Sequence, residues 1–223
     1  MIPNDIREQI ENISAGNVIE GRADHCTAIR NFLYASSTAA RWVKVDFEGK
    51  QRLKKKQAGF LEQYAKANGL SIDEIIFEDF LARGGEASIY FGSDHRHVFK
   101  VNDAGYYATW SEYFDSLCIH NTLFYNTAYS FEYFTILPDP AGENILHAVV
   151  KQPYIISDRT VELSEVQEFL EHNGFKLVRR NDFAHPELHL ILEDMHDENV
   201  LVQEDALFFI DTVFYIDRPV YIT

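Results

Sequence analysis

Residues 192–212, LEDMHDENVLVQEDALFFIDT, constrain the fold of this chain more than any other segment. Two apolar runs, VLV and LFFI, are separated by the polar residues QEDA, a pattern that predicts two strands joined by a tight turn. Because an antiparallel hairpin returns the chain to the level where it began, Asp211 should lie beside Asn199, with Asp194 on the loop that enters the first strand. Carboxylate and amide oxygens that converge in this way suit a magnesium ion. A solvated loop followed by an ordinary strand pair is the alternative.

The N-terminal part of the chain has the spacing of helices. Ile6, Ile10 and Ile13 recur at intervals of three and four residues, and the later stretch KQAGFLEQYAKANGL has an apolar face and ends at an Asn-Gly stop signal. Residues 1–74 are therefore predicted to be a helical region whose apolar faces need a surface to cover them.

From about residue 76 the pattern changes to strands. The stretch IIFEDFLARGGEASIYFGSDHRHVFKV predicts three strands separated by two turns, AGYYATWSEYFDSLCIHNTLFY has helical spacing, and YSFEYFTILPD and NILHAVVKQPYI predict two more strands. A short helix at LSEVQEFLEHNGF precedes the hairpin. This order predicts an α+β fold rather than alternating βαβ units.

Charge and composition exclude several classes of function. A net charge of -15 would repel the phosphates of a nucleic acid, and the one basic run, at 50–56, is interpreted as a solvated helix face. Cys26 and Cys118 fit a reducing compartment, and His185 and His189 in HPELH do not have the order of a zinc enzyme motif. No signal peptide or membrane-spanning run is present, so we expect a cytoplasmic protein with no nucleic-acid or membrane partner.

A second set of residues suits an anionic ligand. In ARGGEASIY, Gly84 and Gly85 lie among small residues that let backbone amides approach an anion. Lys100 stands between Phe99 and Val101 in an otherwise apolar strand, where a cation needs an anionic partner. A simple Gly-Gly hairpin turn and a Lys on an edge strand facing solvent are the alternatives.

Taken in order, these segments resemble a protein-kinase-like phosphotransferase, of the minimal type found in phage and mobile-element polyvalent proteins. DMHDEN keeps Asp194 and Asn199 at the spacing of the catalytic loop H-R-D-x-x-x-x-N, and Asp211 matches the Asp of D-F-G. ARGGEASIY resembles the Gly-rich loop G-x-G-x-x-G-x-V. The resemblance implies a kinase-like N-lobe with an antiparallel sheet at 75–156 and a reduced C-lobe at 157–223.

The resemblance also implies a role for each residue in the catalytic segment. Asp194 would accept or orient the proton of the acceptor hydroxyl, while Asn199 and Asp211 would hold magnesium. Thr212 and Val213 stand where the family has Phe and Gly, so the usual switch between active and inactive forms of that loop is not expected.

The remaining implied roles concern the nucleotide. Lys100 would contact its phosphates together with Gly84 and Gly85, and the backbone of Gln152 and Tyr154 would meet the adenine edge. Glu112 would hold Lys100, with Asp115 as the alternative acid. The resulting hypothesis is a phosphotransferase that uses ATP and magnesium, with an unknown acceptor. A nucleotide-binding or inactive module that regulates a protein partner is the second hypothesis, and an unrelated interaction domain is the third.

Overall fold

The structure, a computed structural model, combines α-helices with antiparallel β-sheets. It describes residues 1–21, 23–36, 47–72, 79–85, 87–139 and 141–217. The chain forms two compact units, which we name after one residue in each. The Asp194 unit comprises Met1–Gly21, Asp115–Ala128 and Ile155–Thr223, and the Lys100 unit comprises Arg22–Phe114 and Tyr129–Tyr154.

Helices occupy most of the described N-terminal residues, as predicted. They are α1 (Asn4–Ser14), α2 (His25–Ala35) and α3 (Phe47–Asn68), followed later in the chain by α4 (Trp110–Leu123) and α5 (Leu163–His172). A 3₁₀ turn follows α4 at Tyr125–Thr127. None of the helices within the described ranges combines the length and the hydropathy that crossing a bilayer requires.

The N-terminal helices do not form a unit of their own, which differs from the predicted division of the chain. Helix α1 belongs to the Asp194 unit, whereas α2 and α3 belong to the Lys100 unit. The physical reason is burial: Leu61 and Ala65 of α3 are 0% exposed, and the ring of Tyr64 packs 4.5 Å from that of Phe32 in α2. Apolar helix faces are covered by joining the nearest core. The predicted boundary at residue 74 lies outside the described residues.

The Lys100 unit contains the five-stranded antiparallel sheet that the sequence predicts. Its strands are β1 (Phe80–Arg83), β2 (Ala87–Phe91), β3 (His97–Asn102), β4 (Ser130–Pro138) and β5 (Asn144–Pro153), in the order β1-β2-β3-β5-β4. Strands β3 and β5 lie inside the sheet, and their longest continuous buried stretches are residues 100–102 and 148–150. The start of the predicted first strand, at 76–78, lies outside the described residues.

Aromatic rings join α4 to this sheet. The Trp110 ring lies 6.0 Å from that of Phe134, and the Phe114 ring lies 6.0 Å from that of Phe131, between ring centroids. Gln57 of α3, which is fully buried, accepts a hydrogen bond from the Trp110 backbone N–H at 2.9 Å. The start of α4 is therefore fixed by both the sheet and α3.

The Asp194 unit contains two further sheets. Strands β6 (Lys176–Arg179), β7 (Asp182–His185), β8 (Leu190–Glu193) and β11 (Val213–Ile216) form an antiparallel sheet in the order β11-β8-β7-β6, which the sequence analysis did not predict. Strands β9 (Val200–Gln203) and β10 (Ala206–Phe209) form the hairpin that it did predict. The two turn residues of this hairpin, Glu204 and Asp205, have positive φ angles of 49° and 60°, the values that suit a tight turn between twisted strands.

Candidate functional site

Asn199 and Asp211 meet at the open end of the β9–β10 hairpin. Val200 pairs with Phe209, and the backbone N–H groups of Ile210 and Asp211 both donate to the carbonyl oxygen of Asn199, at 3.0 and 3.4 Å. The prediction that the second strand returns Asp211 to the level of Asn199 is confirmed.

The four-stranded sheet brings Asp194 to the same place. Glu193, the last residue of β8, pairs with Val213, the first residue of β11, so Asp194 and Thr212 are the next residues at one end of this strand pair. The side-chain nitrogen Nδ2 of Asn199 donates to the carbonyl oxygen of Asp194 at 2.8 Å. The structure therefore brings together the three polar residues that the sequence singled out in this segment.

The backbone at Asp194 is held in an unusual conformation. Its φ is 63°, in the left-handed region, where a residue other than Gly is strained. Its N–H donates to Oδ1 of Asp182 at 3.1 Å, and the next N–H, of Met195, donates to the carbonyl of Asn181 at 2.9 Å. Because these bonds and the buried Met195 fix the loop, the Asp194 side chain projects outward with 66% of its surface exposed.

His196 lies between Asp194 and Asn199, a position that the sequence analysis did not assign. Its Nδ1 accepts a hydrogen bond from the backbone N–H of Glu198 at 3.2 Å, so a neutral ring carries its proton on Nε2. Nε2 is 3.5 Å from Oδ2 of Asp194 and 3.2 Å from Nδ2 of Asn199. His196 follows Asp194 by two residues in DMHDEN, and this spacing could have indicated that the two side chains lie close together.

Buried hydrogen bonds from α4 support the segment that follows Asp211. His120 is 0% exposed, and its Nε2 lies 3.0 Å from the carbonyl oxygen of Thr127, an acceptor, so Nε2 donates. Nδ1 then accepts from the hydroxyl of Thr212, 2.7 Å away. One turn earlier, Oγ of Ser116 accepts from the backbone N–H of Phe214 at 3.0 Å. The residue after Asp211 is therefore a Thr whose hydroxyl is held by a buried His.

The electrostatic environment at this end of β8 is negative. Burial, followed by repulsion from Asp182 and Asp194, raises the pKa of Glu193 above its ordinary value, while Arg179 opposes the shift. A cation bound nearby would relieve this repulsion. Among the described residues no group of three or more His, Cys, Asp and Glu side chains has the arrangement of a metal site, so a metal bound here would rely on the Asn199 amide oxygen as well.

In the Lys100 unit, Lys100 is buried rather than exposed on an edge. It lies on β3 opposite Val150 of the central strand β5, with 6% of its surface exposed. Its Nζ donates to the hydroxyl of Tyr129 at 3.4 Å and lies 5.4 Å from the centre of that ring. The alternative of an edge-strand Lys in solvent is therefore wrong.

Glu112 does not pair with Lys100. Its Oε1 lies 3.5 Å from Nζ of Lys50, its Oε2 accepts from the backbone N–H of Ala108 at 3.0 Å, and its own N–H donates to the hydroxyl of Thr109 at 3.1 Å. These bonds cap the N-terminus of α4, a use that the spacing Thr-x-x-Glu at 109–112 signals. Asp115, the alternative acid, lies three residues further along α4 and is 4% exposed.

Gly84 and Gly85 form the turn between β1 and β2. The N–H of Gly84 donates to the carbonyl of Ala87 at 2.9 Å, which closes the turn. At Gly85 a Cβ would meet the hydroxyl of Tyr106, which is the far end of an exposed side chain that can move aside. A turn between two strands is compatible with both interpretations of the sequence, a Gly-rich loop and a simple Gly-Gly hairpin turn.

Gln152 and Tyr154 lie at the end of β5. Gln152 is 1% exposed and pairs with Val98, and the N–H of Tyr154 donates to the carbonyl of Arg96 at 2.8 Å. The Tyr154 ring packs edge-on against that of Phe91 at 4.9 Å. The predicted hydrogen bonding from this backbone to an adenine edge cannot use the N–H of Tyr154 while that bond to Arg96 is in place.

Comparison with protein families finds a match that covers most of the chain. Residues 54–218 match Kinase-PolyVal, described as "Serine/Threonine/Tyrosine Kinase found in polyvalent proteins". The matched range covers well over half of the chain and includes every motif discussed above, from Gly84 to Asp211. No curated protein and no solved structure matches the chain.

Proposed function

Because the chain belongs to the Kinase-PolyVal family, we propose that it is a phosphotransferase that uses ATP and Mg²⁺ to phosphorylate a hydroxyl group. The observation that carries this proposal is the junction at which the Asn199 side chain binds the Asp194 backbone and the Asn199 backbone binds Asp211. In this proposal the five-stranded sheet corresponds to a kinase N-lobe and the Asp194 unit to a reduced C-lobe.

Asn199 and Asp211 would be the metal ligands. The donor set fits Mg²⁺, which prefers carboxylate and amide oxygens. Because Nδ2 of Asn199 is committed to the Asp194 carbonyl, the oxygen Oδ1 is the atom that would bind the metal. A bound Mg²⁺ would offset the negative charge of the transferred phosphate group.

Asp194 would act on the acceptor. Its carboxylate is exposed, while its backbone is fixed by Asp182 and Asn199, so the side chain can accept the proton of an incoming hydroxyl without losing its position. His196 contacts this carboxylate through Nε2 and would orient it. Lys100, a buried cation in an apolar strand, would bind nucleotide phosphate.

A second candidate is a module that binds nucleotide without transferring phosphate. The observation that favours it is that Glu112, the acid that the resemblance assigned to Lys100, instead caps its helix and pairs with Lys50.

Two substitutions test the proposal and separate the candidates. The unfolding temperature is measured with ATP, with and without Mg²⁺, and added phosphate is then measured by intact mass on the protein and on a mixed peptide pool. We expect ATP to stabilise the wild type only with Mg²⁺, Asp211→Ala to lose that stabilisation, and Asp194→Asn to keep it but lose transfer. If ATP stabilises the wild type equally without Mg²⁺, and stabilises Asp211→Ala to the same extent, then Asp211 is not a metal ligand. Binding without any transfer by the wild type would favour the second candidate.

A further inference from the structure

Within the part of the chain that the structure describes, strand β6 is an unpaired edge of the four-stranded sheet. It is the outermost strand in the order β11-β8-β7-β6, and all four of its residues are exposed. Leu177 and Val178 are 43% and 59% exposed, although both are apolar. An edge strand of this kind offers backbone N–H and C=O groups to another extended segment.

The same edge concentrates positive charge in an acidic part of the molecule. Lys176, Arg179 and Arg180 are the only Lys and Arg residues within 160–217, a range that holds fourteen Asp and Glu residues. Each of the three is exposed, and none forms an ion pair with another residue in the described part of the chain. Arg179 acts at longer range on Glu193, and Lys176 on Glu187, but the exposed charge of the three residues can still attract an anionic partner to a chain whose net charge is -15.

The turn at the end of β6 is bonded directly to the loop that carries Asp194. The carbonyl of Asn181 accepts from the N–H of Met195 at 2.9 Å, and Oδ1 of Asp182 accepts from the N–H of Asp194 at 3.1 Å. A segment that lies along β6 would thus end close to the residue proposed to act on the acceptor hydroxyl.

We propose that β6 is the docking strand for a protein acceptor whose phosphorylated hydroxyl is flanked by acidic residues. The acceptor segment would pair in extended form with the β6 backbone and place Asp or Glu side chains against Lys176, Arg179 and Arg180. This inference rests on the proposed function and specifies its acceptor. The register shift between Leu177 and Arg179 leaves only a short ladder, so charge rather than backbone pairing sets the affinity. Binding should weaken as salt rises, since charges are screened over about 10 Å at ~0.1 M.

A charge-reversal experiment tests the docking strand. The full chain is titrated against a fluorescein-labelled peptide of alternating Glu and Val, followed by fluorescence anisotropy. We expect Arg179→Glu combined with Arg180→Glu to weaken binding by about tenfold or more, and to bind a Lys-Val peptide more tightly than the wild type does. The matched control is Lys55→Glu combined with Lys66→Glu, two exposed residues of α3 that change the net charge equally and should leave the affinity within about twofold.

The outcomes separate this inference from the proposed function. Failure of the Glu-Val peptide to bind the wild type, or equal binding by the β6 variant, overturns the docking strand. So does a wild-type dimer, detected by light scattering and lost in the variant, because the edge would then be occupied by a second copy of the chain. Peptide binding without phosphate transfer leaves docking intact and counts against the function. Phosphate transfer to hydroxyl-containing peptides with no preference for acidic neighbours would support the proposed function and overturn the docking strand. Melting curves confirm that the variants are folded.

Discussion

His120 supports the segment that follows Asp211 through its hydrogen bond with the Thr212 hydroxyl. Replacing it with Leu leaves the Thr212 hydroxyl and the Thr127 carbonyl buried without their partner, which should cost about 1–3 kcal/mol of unfolding free energy. It should also let the segment at Thr212 shift, and phosphate transfer should fall by about tenfold or more. Chemical denaturation and single-turnover transfer measure the two effects.

The control for His120 is another buried polar residue of α4. The Thr122 hydroxyl donates to the Cys118 carbonyl at 2.7 Å within the helix and has no bond to the segment after Asp211. Thr122→Val should therefore lower stability but keep the transfer rate of the folded protein. Equal transfer rates in the His120 and Thr122 variants would show that His120 is only structural.

The raised pKa of Glu193 predicts how the stability of the protein depends on pH. Because burial and its acidic neighbours raise the pKa of this carboxyl in the folded state, its protonated form is favoured by folding, and its ionised form destabilises the protein at neutral pH. Glu193→Gln should raise the melting temperature at about pH 7. The gain should shrink as the pH falls through the raised pKa of the folded state, and it should be gone below the ordinary value of 4.5.

Glu165 provides the comparison for Glu193. Its hydrogen bond and ion pair with Arg159 lower the pKa of its carboxyl from 4.5 to about 2, so its contribution to stability is present above 4.5 and is lost as the pH falls toward 2. Glu165→Gln should lower the melting temperature at neutral pH and lose that effect in acid. If Glu193→Gln and Glu165→Gln shift the melting temperature in the same direction at neutral pH, the raised pKa of Glu193 is contradicted.

Among the elements, those specified by local sequence pattern were predictable and those that depend on distant pairing were not. The β9–β10 hairpin is encoded by two apolar runs and a polar turn. The strands of the five-stranded sheet were read from apolar runs between turn residues, whereas their assembly into one sheet was implied by the kinase resemblance. Strand β11 pairs with β8 although the whole β9–β10 hairpin lies between them in the sequence, and it has only four residues. All four residues of β6 are exposed, so no alternation of buried and exposed residues identifies it as a strand. The capping role of Glu112 was missed because the kinase resemblance gave this residue another role, although its spacing from Thr109 signals a cap.

The hairpin turn yields a prediction at this scale. Glu204 and Asp205 adopt positive φ, which Asn and Gly tolerate better, so Glu204→Asn with Asp205→Gly should stabilise the protein by about 0.5–1 kcal/mol. Transfer should be unchanged, because the turn lies at the opposite end of the hairpin from Asn199. Asp205→Pro, whose ring excludes positive φ, should instead destabilise the hairpin and reduce transfer. Urea denaturation compares the variants, and stabilisation by the Pro variant would contradict the turn assignment.

For the whole molecule, the N-terminal helices are parts of both compact units rather than an appendage. The family match begins at residue 54, yet Arg7 of α1 forms an ion pair of 2.7 Å with Glu187 in the Asp194 unit. The sequence analysis correctly placed helices in this region and expected them to cover apolar surface. It did not divide them between two cores, because helical spacing identifies an apolar face and not the surface that covers it.

Deleting residues 1–53 should therefore unfold the protein rather than trim it. Ile10, Ile13, Ile29 and Leu33 are each at most 1% exposed, and their burial contributes roughly 6–12 kcal/mol in total at about 1.5–3 kcal/mol for each side chain. That is comparable to the whole unfolding free energy of a typical domain, about 5–15 kcal/mol. We expect the truncated chain to lose its cooperative thermal transition and to aggregate on size-exclusion chromatography. Arg7→Ala, which removes only the partly exposed ion pair, is the mild control and should change stability by less than about 1 kcal/mol. A truncated chain that stays monomeric and melts like the full chain would show that the matched range folds alone and that α1 and α2 serve another purpose.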